Sequence, residues 1–202
     1  MKKLLKLLML VCFYSTMSIV NGQNNSDTEE DRSPLYDYGT KVLNSTDSVP
    51  DYNSKNEKLK ITGTIYKSDG KTPASDVILF VEQPDEHGNF DLRKVNDKRY
   101  VYHRTWVKTD AEGRYTLYTF VPGNDRIHQQ YKQIFPVIKE PTKEPYEIET
   151  FLFDNDPLIS KYCRKRLIKK GDIKRILEPK LIDGILVAQR DIILKQDESA
   201  TQ

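Results

Sequence analysis

The sequence predicts an all-β protein: an antiparallel β-sandwich of about seven short strands, with one helix in the C-terminal half. Three observations carry this. Apolar side chains recur at every second position through most of 59–195, the period of a strand with one buried face. Turn-forming residues punctuate that block at short intervals. The block has no internal repeat and no second shift of composition, so it makes one domain around one core.

The strands are justified in order. Leu59, Ile61 and Ile65 alternate with Lys60, Thr62 and Thr64, and Asp69-Gly70 supplies a turn. Val77 to Val81 is a continuous apolar run, which suits a strand covered on both faces. His87-Gly88-Asn89 marks a second turn. Tyr100 to Val107 and Tyr115 to Phe120 are rich in aromatic and β-branched residues and are joined through Thr109-Asp110-Ala111-Glu112-Gly113. Ile134 to Lys139, Tyr146 to Phe153 and Ile185 to Leu194 complete the set. The exception is 157–170, a helix opened by Asp156-Pro157, with Leu158, Ile159, Tyr162 and Leu167 as its apolar contacts.

The flanks differ in kind. Lys2, Lys3 and Lys6 precede an apolar run from Leu7 to Val20, interrupted by Ser15, Thr16 and Ser18. That run is short for a membrane span, and Val20-Asn21-Gly22 places small residues where a signal peptidase cuts. Residues 1–22 therefore read as a cleavable signal peptide. The chain is expected to be secreted or periplasmic, meeting a membrane only during export. Residues 23–58 are rich in Asn, Ser, Asp, Thr and Glu, and read as a polar linker or loosely docked arm pinned by Tyr36, Tyr38 and Tyr52. Residues 196–202 read as a disordered tail.

Removing 1–22 takes away three lysines and no acids, so the formal charge falls from +2 to −1. A near-neutral chain without interleaved aromatic and basic residues is not expected to bind nucleic acid. Cys12 leaves with the leader, so Cys163 has no intrachain partner and the fold must rest on its hydrophobic core.

Several segments in order resemble a known family. Ile61-Thr62-Gly63-Thr64-Ile65, Asp69 to Ala74 and Val77-Ile78-Leu79-Phe80-Val81 look like the opening hairpin of prealbumin-like sandwiches. Arg104 to Tyr115, with Tyr118-Thr119 and Pro122, resembles the central hairpin of the intradiol ring-cleavage dioxygenases. Pro136 to Pro141, Phe151 to Pro157 and Arg190-Asp191-Ile192-Ile193-Leu194 resemble small exported members of that family.

The resemblance implies a ferric site of two tyrosinates and two histidines, on which a catechol is bound and opened between its hydroxyls. The four ligand positions fall at Phe90, Asp125, Gln133 and Phe135, and an arginine often found near the first histidine falls at Gln130. Phenylalanine fills the space of tyrosine without its oxygen. Because loss of an outer-shell partner alone costs about 10–100-fold, replacement of all four ligands implies no conventional iron site and no catalytic residue. No cofactor is expected. The alternative is a site rebuilt from Asp125, His128 and Tyr131, in which ferric iron would serve a divergent oxidoreductase acting on catechol-type aromatics.

The reading that follows is a non-catalytic binding or structural module, with a cleft lined by Phe90, Trp106, Tyr131 and Phe135 suited to a small aromatic ligand. The basic run from Lys161 to Arg175, broken by Asp172, reads as a solvated face. Glu147 and Glu149 read as the polar face of a strand. No serine-hydrolase order, phosphate-binding glycine loop or cysteine metal motif is present.

Overall fold

The computed structural model describes residues 33–196. The expectations for 1–22, for 23–32 and for 197–202 lie outside the described residues. Fourteen strands and one helix follow in order: β1 (Thr46–Ser48), β2 (Lys58–Tyr66), β3 (Ile78–Glu82), β4 (Leu92–Val95), β5 (Lys98–Val101), β6 (Arg104–Lys108), β7 (Arg114–Phe120), β8 (Gln133–Lys139), β9 (Tyr146–Glu147), β10 (Phe151–Phe153), α1 (Lys161–Lys170), β11 (Ile176–Leu177), β12 (Lys180–Ile182), β13 (Ile185–Gln189) and β14 (Ile192–Ile193).

Two six-stranded sheets form the sandwich. One runs β1-β7-β2-β13-β12, with β14 also on β2; the other runs β11-β10-β8-β3-β6, with β9 also on β8. The core lies between them, where Leu59, Ile61 and Leu117 of the first sheet meet Leu79, Val81, Ile138, Phe151 and Phe153 of the second. Each such side chain contributes roughly 1.5–3 kcal/mol on burial. The all-β sandwich with one helix is as the sequence predicts. Its pairing is mixed, because β1 runs parallel to β7, β13 and β14 run parallel to β2, and β11 runs parallel to β10.

The strand number exceeds seven for physical reasons. The expected strand 146–153 breaks in two opposite Pro136. Ile148 N donates to the Pro136 carbonyl, but Pro136 has no N–H to return, so the ladder lapses between β9 and β10. The expected strand 100–107 turns at Tyr102-His103, leaving β4 for β3. Two tight hairpins were not predicted: β4–β5 through Asn96 (φ 47°) and Asp97 (φ 65°), and β12–β13 through Asp183 (φ 49°) and Gly184 (φ 82°). Both have the left-handed pair of a two-residue turn, and Asp183-Gly184 is a legible signal for it.

The helix is shorter than predicted. It begins after Ser160, whose hydroxyl accepts from Cys163 N at 3.1 Å, because the Asp156 carboxylate is engaged in loop contacts instead. It ends at Gly171, whose φ of 77° lets the cap N–H reach the Ile168 and Leu167 carbonyls. Ile159 and Leu167 are buried as expected, whereas Tyr162 is 76 % exposed.

Residues 33–58, expected as a linker or loose arm, are held at several points. Leu35 is fully buried and joins Phe80, Trp106 and Leu43 in a second cluster on the outer face of the β3–β6–β8 sheet. Trp106 Nε1 donates to the Leu35 carbonyl at 2.7 Å. Asp37 accepts from Lys98 at 2.6 Å and from Arg104 at 2.7 Å, and Tyr52 lies edge-on to Tyr118. The sequence showed the tyrosines; the anchors are Leu35, Leu43 and Val49, with β1 laddered on β7.

The last two strands are joined to the sandwich through Gly63. A Cβ there would stand 1.9 Å from the Arg190 carbonyl oxygen, so only glycine allows the approach. Arg190 N donates to the Thr62 carbonyl (2.8 Å), Tyr115 donates its hydroxyl to the Arg190 carbonyl (2.7 Å), and Thr64 N donates to Asp191 Oδ1 (2.9 Å). The register on β2 is unchanged across 190–191, where the ladder is interrupted and β13 is divided from β14. Gly63→Ala should therefore cost about 3 kcal/mol or more, read as a lower denaturation midpoint together with faster amide exchange at Ile192.

Burial raises the phenol of Tyr115 far above its ordinary range, and burial with the Glu140 hydrogen bond pushes Tyr146 up to about 12. A phenol whose folded pKa exceeds its unfolded value of about 10 contributes stability that is complete below pH ~10 and is lost above it. Stability should thus fall as pH rises through ~10–12, and Tyr115→Phe should flatten that fall in alkaline denaturation curves.

Candidate functional site

Two loops and the start of β8 carry the positions to which the resemblance assigns metal ligands. The first loop is closed by Asp85, whose Oδ1 accepts from His87 N (2.8 Å) and Asn89 N (2.9 Å). Gly88 and Gly123 let the two loops touch: a Cβ on Gly88 would lie 2.7 Å from the Asn124 carbonyl oxygen, and one on Gly123 would lie 2.4 Å from Gly88 N. Gly123 N donates to the Asp85 carbonyl at 2.8 Å. The frame that would bring the loops to one place is present.

What the frame presents is carbon. Phe90 and Phe135 meet with ring centroids 5.7 Å apart and planes tilted by 52°, a favourable offset for two rings. Neither ring carries a donor atom for a metal.

The two oxygen-bearing positions are engaged elsewhere. Asp125 folds its own loop: Oδ1 accepts from Ile127 N (2.8 Å) and His128 N (3.1 Å), and Oδ2 lies 2.5 Å from His128 Nδ1. The hydrogen bond to the His128 side chain, then those to backbone, hold the Asp125 carboxyl below its ordinary range. Gln133 Oε1 accepts from Thr150 Oγ1 at 3.2 Å, and Arg175 donates in turn to the Thr150 hydroxyl and carbonyl. The set Phe90, Asp125, Gln133 and Phe135 does not fit a ferric ion, because hard anionic oxygens and imidazoles are what such an ion requires.

The other predicted site residues are spread over three neighbourhoods. Asp125 and His128 do pair, with the His128 side chain 71 % exposed. Tyr131 belongs instead to the cluster of Leu152, Ile159, Leu167 and Ile176, against Cys163, and burial followed by Cys163 raises its phenol. Trp106, expected in the cleft, is buried in the second cluster on the face that Phe135 shares. It lies two residues along β6 from the row of Phe135, stacked on Phe80 at 5.2 Å and covered by Leu35. The expected cleft reduces to Phe90 with Phe135. Gln130 closes the Asp125 loop through paired backbone hydrogen bonds. Among the described residues no group of three or more His, Cys, Asp or Glu side chains is gathered as a metal site.

The remaining histidines divide by environment. His87 is exposed on its loop. His103 is 4 % exposed, edge-on to Phe120 at 4.9 Å, and its Nδ1 has no hydrogen-bond partner among the described residues. Burial, then Lys55, lowers its pKa, so the neutral ring is favoured.

Sequence reasoning missed the residue that knits this region together. Asp156 is 3 % exposed and accepts from Asn124 Nδ2 (2.8 Å), Lys132 N (2.7 Å) and Leu158 N (3.0 Å), tying the second loop, the approach to β8 and the entry to α1. Its place in Asp156-Pro157 suggested a helix cap, and nothing local distinguishes the two roles. Removing a buried acceptor with three donors strands those donors, so Asp156→Ala should cost about 2–4 kcal/mol by chemical denaturation. Asp156→Asn should recover part of that, since an amide oxygen still accepts.

No protein-family model and no curated protein matches the sequence. Solved structures are similar in fold. The dioxygenase domain of a dioxygenase–carbohydrate-binding protein fusion from the cellulolytic bacterium Streptomyces sp. SirexAA-E superposes with a TM-score of 0.58 at 19% identity, over 74% of this chain and 87% of that one. The intradiol ring-cleavage dioxygenase from Tetranychus urticae gives 0.56 at 16%, over 79% and 91%. The 3-chlorocatechol 1,2-dioxygenase from Rhodococcus opacus 1CP gives 0.53 at 18%, over 75% of this chain but 65% of its own length. The chain thus has the β-sandwich fold of the intradiol ring-cleavage dioxygenases.

Proposed function

We propose that this chain is an exported, non-catalytic binding or structural module on the intradiol dioxygenase fold, without the ferric site of those enzymes. The observation that supports it is the Phe90–Phe135 pair. The first loop, held against the second by Gly88 and Gly123, and strand β8 bring together two rings with no metal-binding atom. Fold alone does not confer an activity; the first shell of side chains does. The ligand this reading expects is a small aromatic molecule, stacked on the two rings in place of a metal-bound catechol.

The test uses the mature chain purified in air and again without oxygen. The expected result is a colourless protein with far less than one iron per chain that leaves catechol, hydroxyquinol and protocatechuate intact. Stoichiometric iron with the purple-red absorption of a tyrosinate–iron(III) complex, or consumption of any of the three diols, would overturn it in favour of a rebuilt oxidoreductase site. Export is checked separately, by sequencing the N-terminus of secreted material, which should begin at Gln23.

A further inference from the structure

A second site lies away from the loops, along one edge of the sandwich. A groove of about 680 Å³ opens between the 147–150 link of one sheet and the 190–193 segment of the other, with 171–175 as its third wall. Arg190 lines it. Its backbone is fixed by Thr62 and by the Tyr115 hydroxyl, so the side chain starts from a rigid point. The side chain is half-buried, its Cζ 5.6 Å from the centre of the Phe151 ring. Nε is buried and has no hydrogen-bond partner among the described residues, and among them no carboxylate forms an ion pair with the guanidinium.

A guanidinium keeps its charge at any physiological pH and presents donors in a planar fork, so a desolvated one is completed by an oxyanion. Two of the four acids that line the groove are engaged elsewhere. Asp191 is taken by Thr64 N (2.9 Å) and Gln189 Nε2 (3.2 Å). Glu149 is paired with Arg175, which also holds Thr150. Asp172 reaches Arg190 only through longer-range attraction, against repulsion from Arg175.

The geometry points to a monocarboxylate with a compact apolar body, its carboxylate forked onto Arg190 and its body against Ile193, Ile148 and Tyr66. Charge selects one negative charge over two, since four acids and four bases line the groove and cancel. The apolar wall selects a body, since Ile193 is 58 % exposed there.

Sodium pivalate is the probe, with tert-butanol as its neutral counterpart and inorganic phosphate as the dianion. An aliphatic probe keeps this test separate from any aromatic binding at Phe90 and Phe135. Calorimetric titration of the mature chain should show saturable pivalate binding that weakens with added salt, and Arg190→Gln should weaken it by about tenfold or more. Absence of saturation at about 10 mM pivalate, or unchanged affinity in Arg190→Gln, overturns the site. Binding of tert-butanol or phosphate as tight as pivalate overturns the assignment of a monocarboxylate. If Arg190→Gln does not fold, the Nε–H resonance of Arg190 in the unaltered chain decides: movement on titration supports the site, and a fixed resonance overturns it.

Discussion

The sandwich depends on the missing side chain of Gly63. Where any other residue would hold the strands apart, the Arg190 N–H donates to the Thr62 carbonyl of β2 and the Arg190 carbonyl accepts from the buried Tyr115 hydroxyl. That contact seats β13 and β14 along β2, which otherwise would expose an edge and leave Ala188, Ile192 and Leu194 without the core they cover. The same contact fixes the Arg190 backbone, whose side chain lines the edge groove.

A second constraint governs the loops. Gly88 and Gly123 permit contact between backbones, and Asp156 gathers donors from three segments around them. None of these groups belongs to a first metal shell. They hold the two loops together beneath Phe90 and Phe135, and their buried hydrogen bonds stabilise the domain whatever side chains the loops present.

The site was legible in part. Phe90 and Phe135, far apart in sequence, were assigned to one place through the resemblance, and they do meet. Asp125 and His128 were legible as a local pair because a three-residue spacing in a tight loop brings their side chains together. Trp106 and Tyr131 were not, because membership of a cleft depends on which layer covers a face. Leu35 covers Trp106, and α1 covers Tyr131. The polar composition of 23–58 concealed the covering segment, since a few buried residues (Leu35, Leu43 and Val49), the β1 ladder on β7 and one aspartate between two cations hold it.

By itself, the sequence determined what depends on neighbours along the chain: the period of two that makes strands, the turns, the order of the segments, and the absence of oxygen or nitrogen donors at Phe90 and Phe135. The tertiary structure alone decided what depends on neighbours across space. It fixed the parallel pairing of the last strands, the break opposite Pro136, the burial of Asp156, and the half-buried guanidinium of Arg190, which has no ion-pair partner among the described residues. The reason is that hydrogen-bond partners and burial are properties of pairs of segments. A residue's type sets what it can do, and its surroundings set which of those things remains to be done.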